Sequence, residues 1–132
     1  MFRDAFPILY VEDVERSIRF YSECFGFELG YRWPDEGPPE YAFLRLAPLG
    51  IGLATTAAGE RGHGQPTAAG GAAHFELCVY CDDADAAAER LRAWGARELR
   101  APQDESWGER RAYFEDPDGN PLHVTARIGE AT

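Results

Sequence analysis

The stretch FPILYVEDVERSIRFYSECFGFELGY, residues 6–31, has a plan that returns in ELCVYCDDADAAAERLRAWGARELR, residues 76–100. Each copy opens on a β-rich run that ends at an aspartate, Asp13 or Asp83. A carboxylate there can accept from the free N–H groups of a following helix. The first helix then sets Val14, Ile18, Tyr21 and Phe25 at helical spacing, with Glu15, Arg16 and Arg19 turned away. The second sets Ala84, Ala88 and Leu91 on one face. Both helices stop at an aromatic residue followed by glycine, Phe25-Gly26 and Trp94-Gly95, the usual left-handed ending. The two aspartates stand about half the chain apart, so the chain reads as one unit used twice.

Three strand-like runs follow each helix. They are FELGYRW, YAFLRLA and GIGLATT in the first half, and ARELRAP, ERRAYFED and PLHVTAR in the second. In DPDGN, Pro117 and Gly119 suit a tight reversal between the last two runs. Each half is thus β-α-β-β-β, and the fold class is α+β, with two tandem modules of curved, mostly antiparallel sheet around a concave cleft. Module one spans about 4–56 and module two about 74–128. Residues 57–73, AAGERGHGQPTAAGGAA, read as the linker of a single domain.

The rest of the composition narrows the function. The 132 residues are 45% apolar, enough for a sizeable core. Thirteen basic against 23 acidic side chains give a net charge of −10, which disfavours nucleic acid. That charge serves solubility, or draws in a cationic ligand. No apolar run reaches the roughly 20 residues of a membrane span, and MFRDAFPILYVED has no signal-peptide pattern, so a cytoplasmic protein is expected. Cys24, Cys78 and Cys81 are expected to be reduced packing residues. On a strand, the two cysteines of CVYC point to opposite faces and cannot share a metal.

VEDVERSIRFYSECFGFE and WGERRAYFEDPDGNPLHV resemble the first-module signature and the last hairpin of the vicinal oxygen chelate superfamily. That group spans glyoxalases, extradiol dioxygenases, fosfomycin-modifying enzymes and bleomycin resistance proteins. The resemblance implies four metal-ligand positions facing one cavity. Counting from the shared turns places them at Phe6, Ala54, Glu76 and His123, of which only the last two are plausible metal ligands; His74 could join them. Such sites need three or four ligands, so no metal and no cofactor are expected.

The details AFPILYVEDVERSIRFY, SWGERRAYF and DPDGNPLHVTA are similar to the bleomycin resistance branch. That branch sequesters a large cationic glycopeptide as a homodimer, without chemistry. The expectation is therefore a non-enzymatic, antibiotic-binding homodimer that takes a small aromatic or cationic organic ligand and binds neither nucleic acid nor membrane. Whether it is an enzyme stays open. The alternatives are a metal-dependent glyoxalase- or dioxygenase-type lyase or isomerase built on Glu76 and His123, and a metal-free enzyme using either as general base.

Strand alternation assigns the binding surface. Leu9, Val11, Leu77 and Val79 pack on the helices, leaving Phe6, Ile8 and Tyr10 with Glu76, Cys78 and Tyr80 on the cavity side. His123 shares a strand face with Thr125 and lines the cleft, hydrogen-bonded to Glu76. Trp33, Phe43, Trp107, Arg111 and Tyr113 add walls, with the directions of Arg111 and Tyr113 open. A pocket lined by aromatic rings, with a carboxylate and an imidazole, suits a flat or cationic molecule. Trp94 reads as core, and Trp107 as an element of a loop beside the cleft.

Overall fold

The computed structural model describes residues 3–70 and 76–128. The chain folds into two compact units, Met1–Gly71 and Ala72–Thr132. The first unit runs β1 (Ile8–Val11), α1 (Val14–Phe25), β2 (Glu28–Trp33), β3 (Tyr41–Leu46), β4 (Leu49–Thr55) and α2 (Thr56–His63). The second runs β5 (Leu77–Tyr80), α3 (Ala84–Trp94), β6 (Glu98–Asp104), β7 (Glu109–Glu115) and β8 (Pro121–Arg127). Each unit holds one four-stranded mixed sheet, ordered β1-β4-β3-β2 or β5-β8-β7-β6. The β1/β4 and β5/β8 pairs are parallel and the others antiparallel. This is the expected α+β class.

The shared helix signals work as read. Asp13 accepts from the Arg16 N–H at 3.0 Å and Asp83 from the Ala86 N–H at 3.1 Å. Gly26 and Gly95 close the helices at φ 81° and 100°. There a side chain would be strained. In α1 the buried stripe is Val14, Ser17, Phe20, Tyr21 and Cys24, shifted from the one read in the sequence. Ile18 and Phe25 lie half-buried at its flank. Ser17, although polar, has no exposed surface. The α3 stripe of Ala84, Ala88 and Leu91 is buried as expected.

Behind each sheet, one set of alternating residues forms the core. Leu9, Val11, Ala42, Leu44 and Leu53 do so in the first unit, and Ala112, Phe114, Leu122 and Val124 in the second. In the Asp116–Asn120 turn, Asp116 Oδ1 accepts from the Asp118 and Asn120 N–H groups, and Gly119 takes φ 86°.

One departure lies in the segment read as a linker, which begins as helix α2. Thr55 caps it by accepting from the Ala58 N–H at 3.1 Å, and Gly64 ends it at φ 74°. α2 buries no residue, so its sequence carries no apolar stripe to signal a helix. Among the described residues no helix is long and apolar enough to cross a membrane.

Candidate functional site

The outer face of each sheet is the one turned away from α1 or α3, and the two faces differ in chemistry. In the first unit the register sets Ile8, Gly52, Phe43 and Tyr31 in one row across the strands. Tyr10, Ala54, Tyr41 and Trp33 form the next. Directly paired residues share a face. The predicted set Ile8, Tyr10, Trp33 and Phe43 therefore comes together, and Phe6 joins it with its ring edge-on to Phe43 at 4.8 Å.

Glycines make room for these rings. A Cβ at Gly50 would lie 2.3 Å from Phe43 Cζ, and one at Gly52 would lie 3.0 Å from the Tyr41 hydroxyl. Phe43 and Tyr41 thus lean across the bare backbone of β4 as a floor. Trp33 and Tyr31 remain 50% and 53% exposed beside it. Tyr41 and Tyr31 were missed individually in the sequence, although the alternation of YAFLRL and ELGYRW places them here.

Helix α2 fastens one corner of this face. Tyr10 Oη lies 3.0 Å from His63 Nε2, and His63 Nδ1 accepts from the Gln65 N–H at 3.0 Å. That second bond puts the ring proton on Nε2, so the imidazole donates to the phenol. Gly59 lets the helix backbone approach, since a Cβ there would stand 2.4 Å from the Tyr10 ring.

In the second unit the first row is Cys78, His123, Tyr113 and Arg100, and the next holds Tyr80, Thr125 and Arg111. Arg111 and Tyr113, whose directions the sequence left open, both point to this face. Glu76 stands just before β5 with its carboxylate 3.4 Å from His123 Nε2. Trp107, on the β6–β7 turn, stacks against Arg111, with the guanidinium carbon 4.9 Å from the ring centre. All seven predicted residues of this half therefore gather on one surface. His74 lies outside the described residues.

A hydrogen-bond chain orders this face. A carboxylate only accepts, so Glu76 calls for the proton of His123 on Nε2. His123 Nδ1 then accepts from the Thr125 hydroxyl at 2.7 Å, and Thr125 Oγ1 faces the Cys78 thiol at 4.0 Å. Burial pushes the His123 pKa down, Glu76 opposes that and Arg111 adds to it, which favours the neutral ring. Burial likewise pushes the Cys78 thiol up, although Cys78 is exposed and not the packing residue expected. Glu109 accepts from the Tyr80 hydroxyl at 2.7 Å and the Trp107 indole at 2.8 Å, and these bonds lower its pKa. Arg100, Glu105 and Glu109 were not singled out in the sequence, where they look like ordinary surface charge.

The register also corrects one count. Tyr10 pairs with Ala54 as Tyr80 pairs with Thr125, so the counterpart of His123 is Gly52 and not Ala54. The positions matched to the four ligands are Phe6, Gly52, Glu76 and His123. A histidine or glutamate at 52 would have to displace the Tyr41 ring. Among the described residues no group of three His, Cys, Asp or Glu side chains can hold a metal ion. Among the described residues the matched positions supply two donors, Glu76 and His123, fewer than the three or four that the implied metal needs.

Comparisons with known proteins agree with this fold. A probable chloroplastic lactoylglutathione lyase of Arabidopsis thaliana is 31% identical over 120 residues, 89% of this chain. The chain spans about a third of that relative's length, 33%. The crystal structure of TioX from Micromonospora sp. ML1 superposes with a TM-score of 0.74 at 25% identity, covering 96% of this chain and 100% of that one. The fosfomycin resistance protein FosX of Mesorhizobium loti shares the fold at a TM-score of 0.67 and 20% identity, covering 96% and 92%. Residues 5–124 match the sequence profile of the Glyoxalase/Bleomycin resistance protein/Dioxygenase superfamily, and the chain belongs to it.

Proposed function

We propose that this protein binds and sequesters a flat organic molecule of the antibiotic type, acting as a homodimer without catalysis. The observation that carries this reading is the outer face of the first sheet. It offers Phe43 and Tyr41 leaning over Gly50 and Gly52, flanked by Phe6, Tyr31 and Trp33, with no ligating side chain at its own two matched positions, Phe6 and Gly52. Exposed rings in a fixed array suit stacking on another ring, and a face without donors at Phe6 and Gly52 suits binding more than Lewis-acid chemistry.

The test is a calorimetric titration of chelator-treated protein with a neutral flat aromatic, naphthamide, and with metal-free bleomycin. Saturable binding of naphthamide, weakened about tenfold or more by Tyr41→Ala or Phe43→Ala, is expected from the loss of a stacking partner. Bleomycin binding would support the narrower resemblance. Failure of both ligands to bind would overturn the reading. Light scattering at micromolar concentration checks the dimer.

A metal-dependent lyase or isomerase is the competing reading. It draws support from the lactoylglutathione lyase relative and from the Glu76–His123 pair. It requires that an added divalent metal bind tightly and that lactoylglutathione form in its presence.

A further inference from the structure

The duplicated plan puts a tyrosine at the same place in each sheet, Tyr10 paired with Ala54 and Tyr80 with Thr125. Their hydroxyls are used in opposite ways. Tyr80 faces the Glu109 carboxylate at 2.7 Å, an acceptor only, so its proton is already engaged. Tyr10 faces His63 Nε2 at 3.0 Å, and there the proton comes from the imidazole. The Gln65 N–H can only donate and takes His63 Nδ1 at 3.0 Å, which leaves the ring proton on Nε2. Tyr10 therefore receives a hydrogen bond and still has its own O–H to give. Among the described residues that proton has no acceptor.

The Tyr10 ring borders the aromatic floor of the first unit. In the row Tyr10, Ala54, Tyr41 and Trp33, only the Ala54 methyl separates the positions of Tyr10 and Tyr41. On its other side the ring is held by α2, where a Cβ at Gly59 would stand 2.4 Å from it. His63 lies edge-on to the same ring at 5.9 Å. Position and hydrogen-bond role are thus both set inside the first unit. Each bond in the chain from the Gln65 N–H through His63 to Tyr10 polarises the next, which strengthens the last O–H as a donor. Among the described residues no imidazole meets the hydroxyls of Tyr31 and Tyr41, which can turn to either role.

We infer that Tyr10 is a preset hydrogen-bond donor to the molecule stacked on this face, so the ligand carries a carbonyl oxygen at the rim of its aromatic system, as an aryl ketone, quinone or aryl amide does. This rests on the proposed stacking of a flat organic molecule and adds the group that orients it. A carbonyl oxygen conjugated with a ring accepts close to the ring plane, toward a donor at the border of the floor and not beneath it. His63 acts through Tyr10 as a positioning residue.

Two probes of one shape test it by calorimetry on the whole chain: acetylnaphthalene, and isopropenylnaphthalene, in which a methylene replaces the carbonyl oxygen. The ketone is the better hydrated of the two, so contact with apolar rings alone would favour the alkene. Acetylnaphthalene is nevertheless expected to bind about fivefold more tightly, the step a typical net hydrogen bond gives. Tyr10→Phe should abolish or reverse that difference, and His63→Ala should shrink it, since the phenol then turns freely. Parity or tighter binding of the alkene in the unaltered protein, or a difference that persists in full in either variant, overturns the inference and leaves the stacking reading standing. Failure of both probes to bind overturns both. The comparison within the unaltered protein decides the matter even if neither variant folds.

Discussion

Gly50 and Gly52 show how an absent side chain shapes a surface. A Cβ at Gly50 would meet the Phe43 ring at 2.3 Å and the Leu44 carbonyl oxygen at 2.9 Å, and the carbonyl cannot swing aside. Gly50→Ala is therefore expected to cost about 1–3 kcal/mol as an overpacking change. At Gly52 the nearest atoms stand 3.0 Å away on side chains, so Gly52→Ala should cost less. Urea unfolding of the two variants checks the order. His123 gives a prediction in pH. Because its folded pKa is depressed, the unfolded chain takes up that proton first as pH falls below about 6.5. The folded state then loses stability relative to the unfolded one. Between pH 8 and 5, the urea midpoint of His123→Gln should fall less than that of the unaltered protein. Equal falls would mean that His123 contributes nothing to the acid sensitivity. Residues such as these differ in how well the sequence shows them. Glu76 and His123 stood out because a carboxylate and an imidazole are costly on apolar strands. Arg111 and Tyr113 did not declare a side, because Arg110 interrupts the apolar alternation of Ala112 and Phe114. Asp85 and Asp104 satisfy Arg110 there at 3.0 and 2.9 Å.

Among the elements, α1 and α3 were legible because their signals are local: a capping aspartate, a stripe and a glycine stop. Helix α2 was not, since it buries nothing and its glycines read as loop. Its hold on the molecule is the Thr55 cap, the Tyr10–His63 bond and an ion pair between Arg61 and Glu40. Thr55→Ala is expected to cost α2 about 1 kcal/mol. Since no core residue depends on the helix, amide exchange should quicken in residues 56–63 while the global urea midpoint shifts little. A large midpoint shift would mean that α2 is part of the cooperative core. Asp13→Ala, by contrast, acts on a helix that buries Phe20 and Tyr21 completely, and should move the midpoint itself.

At the level of the whole molecule, the duplicated plan was plain in the sequence, whereas the matching of positions across it was not. Counting from turns led to Ala54, because strand pairing, which fixes Gly52 opposite Ile8, cannot be read one residue at a time. The unfit donor set gives a whole-molecule expectation: chelator should leave the melting temperature unchanged, and added divalent metal should not raise it. A rise on adding metal would show that a native site binds it. Net charge and sheet order together carry a further consequence for handling. Strand β2 ends its sheet, with Leu29, Tyr31 and Trp33 about half exposed and a bulge between Leu29 and Tyr31 as its only interruption. A free strand edge rich in apolar side chains is a template for another chain, and like charge is what keeps copies apart at neutral pH. Around the isoelectric point of about 4.7 that repulsion vanishes, so the solution should turn cloudy there first. A lysine placed at Tyr31 should clear it.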